Sequence, residues 1–342
     1  MSVQGVCEDF CPQSEAKLRI REKLLHFYEY KNGQKNVPGI LVKSFARSAA
    51  GLKVPKGKDL RTIKCLHKTT EYLLNEVILD KRKPFCYIYD FIFDRLRAIR
   101  QEVVIQNLED KQIIKLLEPM IMFLAFSRYK LCEETIGNFD EKICELHLQE
   151  CLKRVLVSYD NIACNEMIDD EIKNRAFVEA LYQIFNLGSI EALNRCVLAP
   201  QEIKSNAVFA LSFKICLSYF QGNLYRVLMG LQNLPHILCA IGSLKMQMLR
   251  KKLLEMFSYA YHSKFSVPAN FVLNLTAHAN KEELFKDCEY FKVNIATDNK
   301  NLYFQKGYFR HELPALKCKH EQFVDIKLEK IYLPEILLLK KL

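Results

Sequence analysis

Along most of the chain, apolar residues return at three- and four-residue steps, the spacing of one buried face of a helix. Leu18, Leu24, Leu25 and Tyr28 mark such a face over residues 15–30. Residues 31–39 are punctuated by Asn32-Gly33 and Pro38-Gly39 and read as a loop. A short helix is expected over 40–50, and a basic turn over 51–59. Ile63, Leu66, Thr70, Leu73, Leu74 and Val77 then form a core-like stripe, predicting a helix over 60–79 that Asp59 can cap. Pro84 breaks the pattern, and further helices follow over 84–106, 110–132 and 141–159. Helix after helix with short loops predicts a bundle or stacked array.

The middle of the chain repeats itself. Gly188 and Gly222 lie 34 residues apart, and Leu181, Phe185, Ile190 and Leu193 match Ile215, Tyr219, Leu224 and Val227 at the same interval. A 34-residue period is that of helix–turn–helix solenoid units, with the glycine making the tight turn. Two unrelated helical hairpins would produce the same two copies.

Beyond residue 245 the pattern changes. Helices are expected over 246–261, from Ser266-Val267-Pro268 to Leu275, and over 281–291 behind an Asn280 cap. Residues 293–296, the turn 297–300 and residues 301–305 alternate as a β-hairpin. Three helices followed by a hairpin is the order of a winged helix. The apolar and basic stretch 313–342 is expected to pack back on this domain or on a partner.

Composition supports helix: only 11 Gly and 10 Pro in 342 residues leave few breakers. No apolar run approaches the ~20 residues of a membrane span. Thirteen cysteines, an odd number, follow an opening without an apolar signal core, so free and mostly buried thiols in a reducing compartment are expected, in a protein that is not secreted. The net charge of +10 is uneven. In residues 1–100, twenty Lys and Arg stand against eleven Asp and Glu; in the rest the numbers are thirty and twenty-nine. An acidic partner at the first third, or simply a soluble surface, follows from this.

Recognisable chemistry is sparse. Cys7 and Cys11 share a C-x₃-C spacing, but zinc needs a second pair of ligands and none is evident. Phosphate-binding glycine loops and the Gly-x-Ser-x-Gly and His-Glu-x-x-His motifs are absent from the sequence. Asp90 and Asp94 stand at helical spacing, and Asp94 with Arg97 reads as an ion pair. Neither a catalytic residue, a cofactor, a metal site nor a small-molecule substrate is expected. Nucleic-acid contacts are expected instead from Lys53, Lys56, Lys58 and Arg61, from Lys81, Arg82 and Lys83, and from the wing residues Lys300, Lys306 and Arg310. Arg95, Arg97 and Arg100 lie among aromatics and suit either stacking on RNA or structural pairing. The helix 281–291 carries Glu282, Glu283, Asp287 and Glu289, which would repel phosphate, so this module suits docking protein better than reading a groove. Phe271, Phe285 and Tyr303 are its candidate docking residues.

The opening Gly5-Val6-Cys7-Glu8-Asp9-Phe10-Cys11-Pro12 resembles the G-x-C-x-D-M-C-P motif of the GANP family (the leucine permease transcriptional regulator or SAC-domain family), with Phe10 where methionine is usual. Arg47 and Ser48 within Val42–Ala50, Asp59-Leu60-Arg61, and the helix segment bearing Asp90, Asp94, Arg95, Arg97 and Arg100 continue the likeness, as do residues 138–140, 147–149 and 222–226. The family motif residues are thus Cys7, Asp9, Cys11, Pro12, Arg47, Ser48, Asp90, Asp94, Arg95, Arg97 and Arg100. The resemblance covers roughly residues 4–310. It implies a mainly α fold: a right-handed helical-repeat (TPR/PCI-like) array followed by a C-terminal winged helix with a small β-hairpin. The divisions expected are 1–39 for the motif and first helix, 40–245 for the array, 246–310 for the winged helix and 311–342 for the tail. It further implies a non-enzymatic scaffold pairing with a PCI-domain protein, with a small acidic helper protein. Such a complex would act in mRNA export and transcription-coupled RNA processing or at the centrosome and spindle, in the nucleus, the cytoplasm or both, and off membranes. Direct RNA or DNA binding is the alternative. Without Phe-Gly repeats or the long C-terminal region of the large members, the chain looks like the short, SAC domain-containing form.

Overall fold

Short side chains and trapped backbone groups decide where each helical stripe starts and stops. The computed structural model describes residues 3–31, 34, 37–47 and 55–340. Among them are sixteen α-helices and three short strands, so the protein is mainly helical. They form two compact units: one within Met1–Ser127, Thr135–Met167 and Tyr332–Leu342, the other within Arg128–Glu134 and Ile168–Ile331.

The first unit is built on α1 (Gln13–Arg21), α2 (Ile63–Asn75), α3 (Phe85–Gln106), α4 (Asp110–Lys130), whose last turn counts with the second unit, and α5 (Glu141–Asp160). Thr62, rather than Asp59, caps α2 by accepting from the Cys65 amide. Asn107 closes α3 in the left-handed region at φ 50°. Asp140 caps α5 through the amides of Lys142 and Ile143. The apolar run Met120–Phe126 of α4 is buried all round, and Tyr89 gathers Phe93, Phe123 and Phe139 about it. Each large apolar side chain so buried contributes roughly 1.5–3 kcal/mol.

Two expected helices in this unit are shorter or missing. The stripe over 15–30 ends as α-helix at Arg21; Lys23 turns left-handed, and Phe27–Glu29 is a 3-10 turn started by His26. Residues 40–47 are extended, not helical. Their backbone groups are claimed by side chains: Arg19 donates to the Val42 carbonyl, and the amides of Val42, Ser44 and Phe45 donate to Glu29, Glu15 and Asp94. These partners compete directly with helical hydrogen bonds and win here. Residues 48–50 lie outside the described part.

The second unit begins with paired helices. α6 (Asp169–Phe185) and α7 (Ile190–Leu198) are joined at Gly188; after α8 (Gln201–Lys204), α9 (Ala207–Phe220) and α10 (Leu224–Asn233) are joined at Gly222. Both glycines take positive φ, 95° and 73°, which only glycine adopts freely. α6 packs on α9 and α9 on α10. The hairpins differ in detail, since Ile190 is 68% exposed while its counterpart Leu224 is buried. α11 (His236–Ser243) and α12 (Met246–Ala260) continue the array.

A small module ends this unit. β1 (Val267–Pro268) precedes α13 (Ala269–Thr276) and α14 (Lys281–Phe291), and β2 (Asn294–Ile295) turns back into β3 (Asn301–Tyr303). The antiparallel sheet runs β1-β3-β2, with Leu302 opposite both Val267 and Ile295. Val267 and Pro268, expected within the start of a helix, instead form an edge strand; Pro268, lacking an amide hydrogen, then precedes α13. Leu254, Val272, Leu284, Phe291, Leu302 and Phe304 share one core. Beneath it Arg250, wholly buried, gives its guanidinium to Glu321 at 2.9 Å and to the carbonyls of Thr276 and Ala277. The tail does fold back: α15 (Gln322–Glu329) packs on α11, and α16 (Leu333–Leu337) packs on α2 in the first unit.

The two hairpin glycines should tolerate substitution differently. An added Cβ at Gly188 would lie 2.8 Å from the Tyr219 ring, whereas at Gly222 it meets open space. Gly188→Ala is expected to cost about 2–3 kcal/mol, and Gly222→Ala about 1 kcal/mol, the backbone strain alone. Urea unfolding of the two variants checks this; equal losses would mean that the Tyr219 contact adds nothing.

Candidate functional site

The motif at the start of the chain is an extended strap. The Val6 and Cys7 amides donate to the carbonyls of Gly57 and Leu60, and Thr62 donates back to Cys7. Gly5 lies so close to the Arg61 carbonyl that a Cβ would sit 2.2 Å from it, leaving no room for a side chain. Its amide donates to Gln106 of α3. Cys7 and Cys65 both direct their thiols at the Asp9 carbonyl, at 3.4 and 3.2 Å. Cys11 is buried, which pushes its thiol up to about 12. Pro12 precedes and starts α1.

Two buried carboxylates tie the neighbouring segments to α3. Glu102 of α3 receives the Arg61 amide at 2.7 Å, Nε of Arg61 at 3.0 Å and the Lys43 ammonium at 3.0 Å. Glu29 receives Arg19, Arg95 at 3.1 Å, and the amides of His26 and Val42 at 3.0 Å. Neither carboxylate sees solvent. Burial alone would raise Glu29, but Arg95, the His26 amide and Arg19 outweigh it and hold the carboxyl below its ordinary value.

The motif residues of α3 serve the same purpose. Asp94 pairs with Arg95, its neighbour, and accepts the Phe45 amide, so the expected Asp94–Arg97 pair does not form. Arg97 instead lies over the Phe45 ring at 3.9 Å. Arg100 reaches across to Glu150 and His147 on α5. Arg47 and Asp90 are exposed, and Ser48 lies outside the described residues.

The basic candidates divide by exposure. Arg61 is wholly buried on Glu102 and cannot reach a phosphate, which corrects its place among the nucleic-acid contacts. Lys56 and Lys58 are exposed; Lys53 lies outside the described residues. Lys81, Arg82 and Lys83 are exposed too, but Arg82 grips Asp80 and stands over the Phe27 ring, which Lys83 also approaches at 5.1 Å. In the C-terminal module Lys300 and Lys306 are exposed and Arg310 is half-buried. Of the docking candidates, Phe271 is exposed, Tyr303 is half-buried on β3, and Phe285 packs against the module's core.

Sequence reading missed one surface. Tyr259, Tyr261, His262, Lys306 and Tyr308 line an open cavity of about 630 Å³. Tyr259 and Tyr308 are 53% and 64% exposed, and the Lys306 ammonium stands 4.7 Å from the Tyr259 ring. These residues come from the end of α12 and the loop after β3, and no spacing along the chain announces that they meet. All thirteen cysteines are free thiols. Among the described residues no three metal-binding side chains gather, and no helix is long and apolar enough to cross a membrane.

A strap closed by buried ion pairs on a long helix, ahead of helical hairpins and a small three-stranded module, defines a mainly helical class of protein. The SAC3/GANP family model matches residues 10–297. The chain belongs to the SAC3/GANP family. It is 25% identical over 309 residues, 86% of its length, to Protein xmas of Drosophila melanogaster. It is 34% identical over 146 residues (42% of its length) to SAC3 family protein B of Arabidopsis thaliana, and 26% over 159 residues (46%) to SAC3 family protein 1 of Schizosaccharomyces pombe. The matched regions span 15%, 8% and 15% of those relatives, respectively.

Removing the Glu29 carboxylate strands two arginines in a dry site. Glu29→Ala is expected to cost about 3–5 kcal/mol, read from the urea midpoint. The sign of the pH dependence follows from the lowered carboxyl: its stabilisation is present above the unfolded value of 4.5 and is lost as pH falls through the native one. Wild-type stability should therefore drop more steeply on acidification than that of Glu29→Ala; parallel acid limbs would contradict the assignment.

Proposed function

We propose that the chain is a non-enzymatic scaffold that pairs with a PCI-domain protein, together with a small acidic helper protein, through its helical hairpins and a C-terminal winged helix. The complex acts in mRNA export and transcription-coupled RNA processing, or in centrosome and spindle function, in the nucleus or cytoplasm. Membership of the SAC3/GANP family supports the RNA-linked setting. The observation that carries the pairing is the module of β1, α13, α14, β2 and β3. Its core is closed around Leu302, yet Phe271 of α13 remains 45% exposed. α12 followed by this module, three helices with a three-stranded antiparallel sheet, supports the winged-helix reading, and α6–α7 with α9–α10 support the TPR/PCI-like one.

The second helix of the module, α14, is spent internally and acidic. Asp287 holds buried His278 at 2.9 Å, and Glu283 holds Lys319 at 2.8 Å. A helix so occupied and so charged opposes insertion into a phosphate-lined groove. One observation favours nucleic acid as a second ligand: the exposed pair Tyr259 and Tyr308 with Lys306 offers rings and a cation to an unpaired base.

Co-expression with PCI-domain subunits tests the first reading. A stable 1:1 complex is expected, lost in Phe271→Asp at an unchanged melting temperature; a chain that stays monodisperse and retains no PCI-domain protein overturns it. For the second, Tyr308→Ala should weaken binding of a poly-U 20-mer by about 1–3 kcal/mol, and binding should fall with salt; salt-independent binding excludes phosphate contact.

A further inference from the structure

Thr276, His278 and Asp287 stand in a row where α13 turns into α14, and all three are more than nine-tenths buried. The Thr276 hydroxyl oxygen lies 2.7 Å from the Val272 carbonyl and 2.6 Å from Nδ1 of His278. On the far side of the ring, Nε2 lies 2.9 Å from Oδ2 of Asp287. All three contacts have hydrogen-bond length, where two facing lone pairs would repel, so each needs a hydrogen. A threonine hydroxyl and a neutral imidazole bring only two between them, and an ionised aspartate brings none.

The Val272 carbonyl can only accept, so the hydroxyl hydrogen goes to it. Nδ1–H of His278 must then donate to the hydroxyl oxygen. In a neutral ring this leaves Nε2 bare against a carboxylate, and the third contact closes only with an added proton. The other neutral tautomer satisfies Asp287, but it turns the hydroxyl hydrogen to Nδ1 and leaves two oxygens 2.7 Å apart with none between them. The surrounding charges agree with the added proton. Arg250 of α12 pairs with Glu321, and Lys319 pairs with Glu283 of α14. A proton between His278 and Asp287 balances the third carboxylate of the cluster. Burial, with Arg250 and Lys319, presses the ring itself toward neutrality, and Asp287 opposes them; the proton is therefore shared with the carboxylate. We propose that the folded module binds one extra proton between His278 and Asp287 at neutral pH, a latch that joins the end of α13 to α14 and loosens as pH rises. The latch concerns how the module is held shut, and it is independent of what docks there. An unfolded histidine gives up its proton near its ordinary 6.5, whereas the folded pair keeps it to higher pH. The stabilisation is thus complete below 6.5 and is lost as pH rises from there to the pair's own value.

The test uses the full chain labelled with nitrogen-15 in histidine only, with the His278 signals assigned by their loss in His278→Gln. At about pH 7.5, NMR should show a hydrogen on Nδ1 of His278, whichever side of the Asp287 contact holds the shared proton. A bare Nδ1 beside a protonated Nε2 is the ordinary neutral tautomer and overturns the proposal. Asp287→Asn supplies the second measurement. Its amide can donate to Nε2, so all three contacts close without an added proton, and the variant should fold. Relative to it, wild-type hydrogen-exchange protection of residues 269–291 should fall by about tenfold per pH unit above about 6.5. A ratio that stays flat or rises up to about pH 8.5 also overturns the proposal. Should Asp287→Asn fail to fold, the Nδ1 reading on the wild type decides alone.

Discussion

A carboxylate shut away from water must be answered by positive charge and by hydrogen bonds, or it will not remain charged. Glu29 is answered four times over, by two guanidiniums and two backbone amides. Those partners come from α1, the turn before Glu29, the extended stretch at Val42 and α3. One side chain thereby joins four pieces of chain. Glu102 repeats the device for the strap and for Lys43. In the second unit Glu321 does so for Arg250, which in turn donates to the Thr276 carbonyl at the end of α13. Each unit thus combines ordinary apolar packing between helices with polar clamps where the chain is not helical.

The clamps give the family motif its meaning. Conspicuous arginines on α3 suggest a ligand, yet Arg95 is turned inward and Arg97 lies flat on Phe45. Ion pairs of this kind add little net stability relative to apolar packing, but breaking one is costly. Their contribution is specificity: residues 40–47 have helical potential, and the clamps commit them to an extended path. The large side chains that these pairings leave exposed include Tyr259, Tyr308 and Phe271.

Most helices could be read from the chain because a stripe of Leu and Ile at helical spacing has only one economical use. The turns at Gly188 and Gly222 were legible for a similar reason, since positive φ leaves few alternatives to glycine. What escaped was decided by partners far away in sequence. Leu24, Leu25 and Tyr28 keep a helical rhythm, but the chain turns at Lys23 so that Glu29 can reach Arg95. Asp94 and Arg97 have the spacing of a pair, but Arg95 and the Phe45 amide take the carboxylate first. Arg61 looked like part of a basic loop, and only the fold reveals Glu102 beneath it. β1 is two residues long, too short for alternation to show. The site is less visible than the fold because it is assembled from what these pairings leave unused.

The clamps also set an order of events during synthesis. Glu29 leaves the ribosome long before Arg95, and Arg61 before Glu102. At about 5–20 residues per second, the emerging N-terminal segment waits several seconds for the helix that neutralises it. Until then its charges are best kept in water, and the segment stays open to chaperones or to an early-binding protein. Since α16 also packs on α2, the first unit is completed only after the second has been translated.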